Sequence, residues 1–167
     1  MAGLMSVPHP GEPQMSLFEF VCREHRFALP LSCVRRVLPS AQPSPLPGAP
    51  QLVCGVLNIA GEPIAVLDFA HRLGASESPI RPSQRILLAD LGEFPVGLLI
   101  DEALGVTVRD DAELRAMPQQ VSQPGIVSSI VRLADGVCLI VDPDRFLFDS
   151  ERVQLQDALR KAGHARH

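Results

Sequence analysis

Short apolar runs of strand length recur along most of the chain, several alternating with polar residues, and they end at glycine, proline, asparagine or aspartate. That is the pattern of short strands joined by tight turns. Leu17 to Cys22 reads as the first strand, Arg23 to Arg26 as a turn and Phe27 to Leu29 as the return. A short apolar segment after Pro30 leads into Val34-Arg35-Arg36-Val37-Leu38, which alternates like a half-exposed strand. Pro39, Pro43, Pro45, Pro47 and Pro50 then stiffen a loop.

Cys54 to Ala60, a Gly61-Glu62 turn and Pro63 to Leu67 form a second hairpin, after which Asp68 caps a helix over Phe69 to Leu73 that stops at Gly74. Beyond a polar linker, Ala75 to Pro82, three further strands are expected at Arg85 to Ala89, Val96 to Ile100 and Gly105 to Val108. A proline- and glutamine-bearing loop precedes Ile126 to Leu133, an Asp135-Gly136 turn and Val137 to Val141. Asp142 then caps a short helix over Pro143 to Phe148, repeating the order of turn, strand, aspartate cap and brief helix seen at Asp68. Ser150 caps a last helix, whose Leu155, Leu159 and Ala162 share one face.

The connections are too short for helical crossovers, so the expected architecture is mainly β: two small barrels side by side along a shared apolar seam. The expected boundaries are a disordered leader over residues 1–15, a two-lobed β domain over 16–150, and a C-terminal helix with a tail over 151–167.

At 167 residues, with 46% hydrophobic and 20% charged side chains, the chain has material for one compact unit. A net charge of -4, scattered along the sequence, with no tyrosine or tryptophan, argues against a nucleic-acid partner. No apolar run is long enough to cross a bilayer and Met1 to Met15 lacks signal-peptide character, which points to the cytoplasm. Cys22, Cys33, Cys54 and Cys138 form no C-x-x-C pair and read as reduced core thiols.

Candidate chemistry is sparse. His9, His25, His71, His164 and His167 show no paired spacing for zinc. Ser32, His71 and Asp68 include the residue types of a hydrolase triad, but no nucleophile elbow surrounds any serine. Asp90, Asp101, Asp110 and Asp111 close strands or begin turns. Arg35-Arg36 reads equally as a docking site or as the solvated face of a strand. No catalytic residue, cofactor or metal site is expected.

The segment Cys54 to Gly74 is similar to the signature of the CheW-like family of chemotaxis adaptors, approximately G-V-x-N-L-R-G-x-I-x-P-V-x-D-L-x-x-x-L-G, with matches at Gly55, Val56, Asn58, Gly61, Ile64, Val66, Asp68, Leu73 and Gly74. Phe18 and Phe20, the Val34 to Leu38 strand, the Leu46 to Pro50 approach, Val96 to Asp101 and Leu139 to Asp142 extend the resemblance from Ser16 to Ser150. It implies two five-stranded SH3-like barrels around a common core, one built largely from the central part of Ser16 to Gly74 and the other mainly from later strands. It also implies no catalysis, and a bridge between the regulatory domain of a CheA-type histidine kinase and the cytoplasmic tip of a chemoreceptor; self-association is compatible with it.

On that resemblance Phe18, Leu31 and Val34 present an apolar edge to the kinase, each with a core role as its alternative. Arg36, Asn58, Ala60, Gly61 and Leu87 form the receptor-facing surface, with hairpin structure as the alternative for Asn58 and Gly61. Two positions depart from the family pattern. Ala60 stands where the family has the arginine of N-L-R-G, and Arg36 where an acidic residue is common. The changes suggest a dedicated, non-standard adaptor, or a module of the same fold that binds another protein or a small ligand such as a nucleotide.

Overall fold

The computed structural model describes residues 13–116 and 125–164. Residues 1–12, with most of the expected leader and His9, lie outside the described residues, as do 117–124, within the expected proline- and glutamine-bearing loop, 165–167 with His167, and the side chain of His164. The first strand, β1 (Gln14–Cys22), begins three residues before the expected Leu17, and its Gln14 and Met15 pair with Asp110 and Arg109.

Eleven strands form two sheets among the described residues. β1, β2 (His25–Pro30), β8 (Glu102–Asp110), β9 (Leu114–Ala116), β10 (Val127–Leu133) and β11 (Gly136–Val141) make one, in the order β8-β1-β2-β11-β10-β9. β3 (Val34–Pro39), β4 (Val53–Ile59), β5 (Glu62–Asp68), β6 (Arg85–Leu91) and β7 (Phe94–Ile100) make the other, in the order β3-β6-β7-β5-β4.

The second sheet takes β3, β4 and β5 from the central part of Ser16 to Gly74, as expected, and is completed by β6 and β7. The first two strands join the late strands, and the second sheet is wholly central. The cause of this grouping is non-local: β2 runs parallel to β11, with Phe27 opposite Leu139, and β5 runs parallel to β7, with Val66 opposite Gly97. The first sheet also carries a sixth strand, the three-residue β9, that the sequence pattern did not announce.

Alternation explains how two small sheets bury enough surface. Phe18, Phe20, Phe27 and Leu29 of the first sheet meet Leu67, Leu87, Val96 and Leu98 of the second in a common core. Residues of opposite parity form a small separate core for each lobe. Leu17, Ala28, Val131, Cys138 and Ile140 fill the first, and Val66, Ile86 and Leu99 the second. One face of each sheet thus serves the seam and the other its own lobe.

Phe69, the first residue of α1 (Phe69–Arg72), is the hub of the common core. Its ring lies 5.1 Å from Phe20, 4.9 Å from Phe27 and 5.3 Å from Phe146, measured between centroids. Asp68 caps α1 as expected, accepting from the Ala70 amide at 3.1 Å. The corresponding helix at Pro143 to Phe148 does not form. Asp142 instead accepts from the Asp144 amide at 2.9 Å in a local turn, which delivers Phe146 into the core.

The last helix, α2 (Asp149–His164), begins before Ser150. Its start is satisfied by Glu151, whose carboxylate accepts from the Phe148 amide at 2.9 Å. Leu155 and Ala158 enter the common core, with Leu159 and Ala162 packed against it. Arg152 donates to the Leu91 carbonyl at 2.9 Å and Gln154 to the Gly48 carbonyl at 2.9 Å, tying α2 to the central part of the chain.

Candidate partner-binding surfaces

β8 is inverted relative to the usual pattern of a half-buried strand. Leu104, Val106 and Val108 are exposed, whereas Thr107 and Arg109 turn inward. Thr107 and Arg109 point inward because a carboxylate awaits them. Glu19 on β1 is only 3% exposed and accepts from the Thr107 hydroxyl at 2.7 Å and from Arg109 at 3.3 Å. With the polar residues drawn into the lobe, strand geometry forces the apolar ones out.

The outward residues continue the face that builds the common core. Val106 stands opposite Phe18, and Val108 opposite Ser16. Phe18 is 9% exposed and Val106 is 56% exposed, so the cover over β1 stops short of Val106. After β2, a 3-10 turn at Leu31–Cys33 and the start of β3 bring half-buried Leu31 and Val34 against the common core.

The expected kinase edge is therefore only partly a surface. Leu31 and Val34 are accessible, but Phe18 is a core residue, and Leu104, Val106 and Val108 supply the exposed apolar area instead. Reading β8 for what faces away from Thr107 and Arg109 would have found them. The run Leu104 to Val108 alternates, but nothing local says which set is inside.

The expected receptor face divides as well. Leu87 is 0% exposed and packs in the common core, because its side chain lies on the face of β6 turned towards the other sheet. It cannot contact a partner. Arg36 is exposed on β3 and its side chain, among the described residues, has no ion pair or hydrogen bond, whereas its neighbour Arg35 pairs with Asp90 at 2.9 Å. A bulge between Val34 and Arg36 separates the two arginines in register.

Asn58, Ala60 and Gly61 are exposed together at the β4–β5 turn. The turn residues are Ala60 and Gly61, at φ 51° and 86°, rather than Gly61 and Glu62, and the Asn58 side chain accepts from the Gly61 amide at 2.9 Å. Asn58 and Gly61 thus have a structural duty in the hairpin, which leaves the position of Ala60 as the variable one. β3 and β4 form opposite edges of their sheet, so Arg36 and this turn are not neighbours through hydrogen-bonded strands.

The thiols carry no sign of nucleophilic activation. Burial pushes Cys22, Cys54 and Cys138 up to about 12 and Cys33 to about 11, away from the thiolate that attack requires. Ser32 makes no hydrogen bond to His71 among the described residues, and Asp68 is occupied as a cap. No helix among the described residues is long and apolar enough to cross a membrane.

The CheW-like domain family matches residues 16–151. The chain belongs to the CheW-like family. Family membership places it among the coupling adaptors of chemotaxis-type signalling. The chemotaxis protein CheW of Bacillus subtilis (strain 168) is 28% identical over 137 residues, covering 81% of this chain and 87% of that protein. The protein PilI of Pseudomonas aeruginosa is 32% identical over 80 residues, or 48% of this chain and 45% of its own length. The crystal structure of the scaffolding protein TtCheW from Thermoanaerobacter tengcongensis superposes with a TM-score of 0.68 at 22% identity, covering 76% of this chain and 88% of that one. At that identity the likeness speaks to the fold, two SH3-like lobes. Beyond its first turn, α2 lies outside the family match.

Proposed function

We propose that this chain acts without turnover, in the cytoplasm, by holding the regulatory domain of a CheA-type histidine kinase and the cytoplasmic tip of a chemoreceptor-type protein on separate faces. The observation that carries this is the strip of Leu104, Val106 and Val108, which extends a core-building face past the cover over β1. Such an uncovered apolar strip is the character of an interaction site. Four free cysteines fit a reducing compartment.

In the first assignment the strip, with Leu31 and Val34, takes the kinase domain. Arg36 and the turn at Asn58, Ala60 and Gly61 take the receptor tip. The Arg36 side chain has no partner among the described residues, so an acidic group on the receptor side is the complement that offsets its desolvation. A second assignment exchanges the partners, since exposed apolar side chains on β8 also suit the apolar face of an amphipathic helix.

Titration of each partner separately against the wild type, Val106→Asp and Arg36→Glu tests both. Kinase affinity lost only with Val106→Asp, and receptor affinity lost only with Arg36→Glu, supports the first assignment. The reverse supports the second. Binding of neither partner by the wild type at micromolar concentration removes the coupling role and leaves a family fold serving another protein or a small ligand.

A further inference from the structure

We propose that Glu19 is a positioning residue for partner binding, setting the course of the β8 strip from the opposite side of the strand; this rests on the reading of that strip as a docking surface. Glu19 sits inside the first lobe, where a carboxylate is costly unless it is paired and hydrogen-bonded. Its groups are all supplied from strands flanking the strip's anchor. Oε2 receives Thr107 and Arg109 from β8, and Oε1 lies 3.9 Å from Arg26 on β2. Arg109 also approaches Glu113 at 3.8 Å, and Glu113 accepts from the Asp110 amide at 3.0 Å, so the network reaches past the end of β8.

Register places this network directly behind the strip. Thr107 and Arg109 alternate with Val106 and Val108, so a contact fixing one pair on the inside fixes the other pair on the outside. Glu19 is also where the strand pairing is irregular. It stands opposite Gly105, at φ +116°, and the β1–β8 register shifts between Glu19 and Phe20. A bulge bends its strand and re-aims the side chains beyond it. The carboxylate at the bulge, gripping two residues beyond it, holds β8 at the angle that lays Val106 beside Phe18 and Val108 beside Ser16.

The test is a double-mutant cycle in the full chain with Glu19→Gln and Val106→Asp, read by titration of the kinase regulatory domain and the receptor tip. Glu19→Gln keeps the shape and an acceptor for Thr107 but removes the charge facing Arg109 and Arg26. The expected result is a loss of affinity of about five- to tenfold for the partner that Val106→Asp abolishes, with the other partner unaffected. In the Val106→Asp background Glu19→Gln has no further effect. Ile86→Val, in the small core of the other lobe, controls for loss of Tm and leaves both affinities in place.

Amide exchange adds a readout independent of partners: Val106 and Val108 exchange faster in Glu19→Gln, while the strands of the second sheet do not. Thr107→Val reproduces a smaller loss if Glu19→Gln proves too unstable to titrate. Unchanged affinity in both variants, with Val106→Asp still abolishing binding, overturns the positioning role and leaves the surface reading standing. Val106→Asp without effect on either partner overturns the surface reading and the inference with it.

Discussion

Phe18 and Val106 face each other across the β1–β8 pair on one side of the same sheet, yet one is core and the other is open to solvent. The boundary of the cover over β1 passes between them. Substitutions on the two sides of that boundary should therefore separate stability from binding. Phe18→Ala leaves a cavity in the common core and is expected to cost about 3–5 kcal/mol in urea unfolding. Val106→Asp is expected to leave the unfolding midpoint nearly unchanged and to lower affinity for one partner by more than about tenfold.

Arg72 links α1 to α2. Its guanidinium lies 4.2 Å from the centroid of the Phe148 ring and 5.8 Å from that of Phe146, and it pairs with the Glu151 carboxylate that satisfies the start of α2. Arg72→Ala leaves that carboxylate half-buried without its cation and is expected to destabilise the fold by about 2–4 kcal/mol. Hydrogen exchange should show α2 losing protection before the sheets do. Arg72→Lys should restore only part of the loss, because an ammonium cannot both stack between rings and hold the carboxylate in the same geometry.

Asp68 has its carboxyl raised above 3.8 by burial, against the opposing pull of the Ala70 amide. Between its ordinary and raised values the folded state binds more protons than the unfolded one, so stability falls as pH rises through that window. At neutral pH the cap is ionised at a cost. Asp68→Asn keeps a capping oxygen without the charge and is expected to raise Tm at pH 7. The advantage should shrink as the pH falls through the raised value towards 3.8 and below. A constant difference across that range would contradict the burial argument.

Gly55 admits no side chain. A Cβ there would lie 2.3 Å from the Ser44 carbonyl oxygen, which accepts from the Val56 amide at 2.8 Å and pins the proline-rich loop to β4. The obstructing atom is backbone and cannot swing aside. Gly55→Ala is expected to cost about 2–3 kcal/mol and to release the loop, measured by urea unfolding and by proteolysis within residues 40–50.

Much of the fold was legible because hairpins are local. The β1–β2 and β4–β5 pairs, the Asp68 cap and the apolar face of α2 follow from alternation, turn residues and helical spacing. The grouping of strands did not, because the parallel pairs β2–β11 and β5–β7 join segments distant in sequence with no turn to mark them. The missing helix after Asp142 has a tertiary cause: stacking of Phe146 on Phe69 outweighs a proline-started turn of helix.

The exposure of the candidate partner-binding residues was legible only in part. Leu31, Val34, Arg36 and the turn at Asn58, Ala60 and Gly61 are accessible, but Phe18 and Leu87 belong to the core. The strip on β8 escaped because a hydrophobic pattern fixes which residues share a face and leaves open which face is buried. Here one buried glutamate on another strand decides it.

The most direct measurement is size-exclusion chromatography of this chain mixed with the regulatory domain of the genomically nearest CheA-type kinase and the receptor tip. Coupling through separate faces requires that all three co-elute, and that Val106→Asp releases one partner while retaining the other. Mutually exclusive binding, or loss of both partners with Val106→Asp, would contradict it.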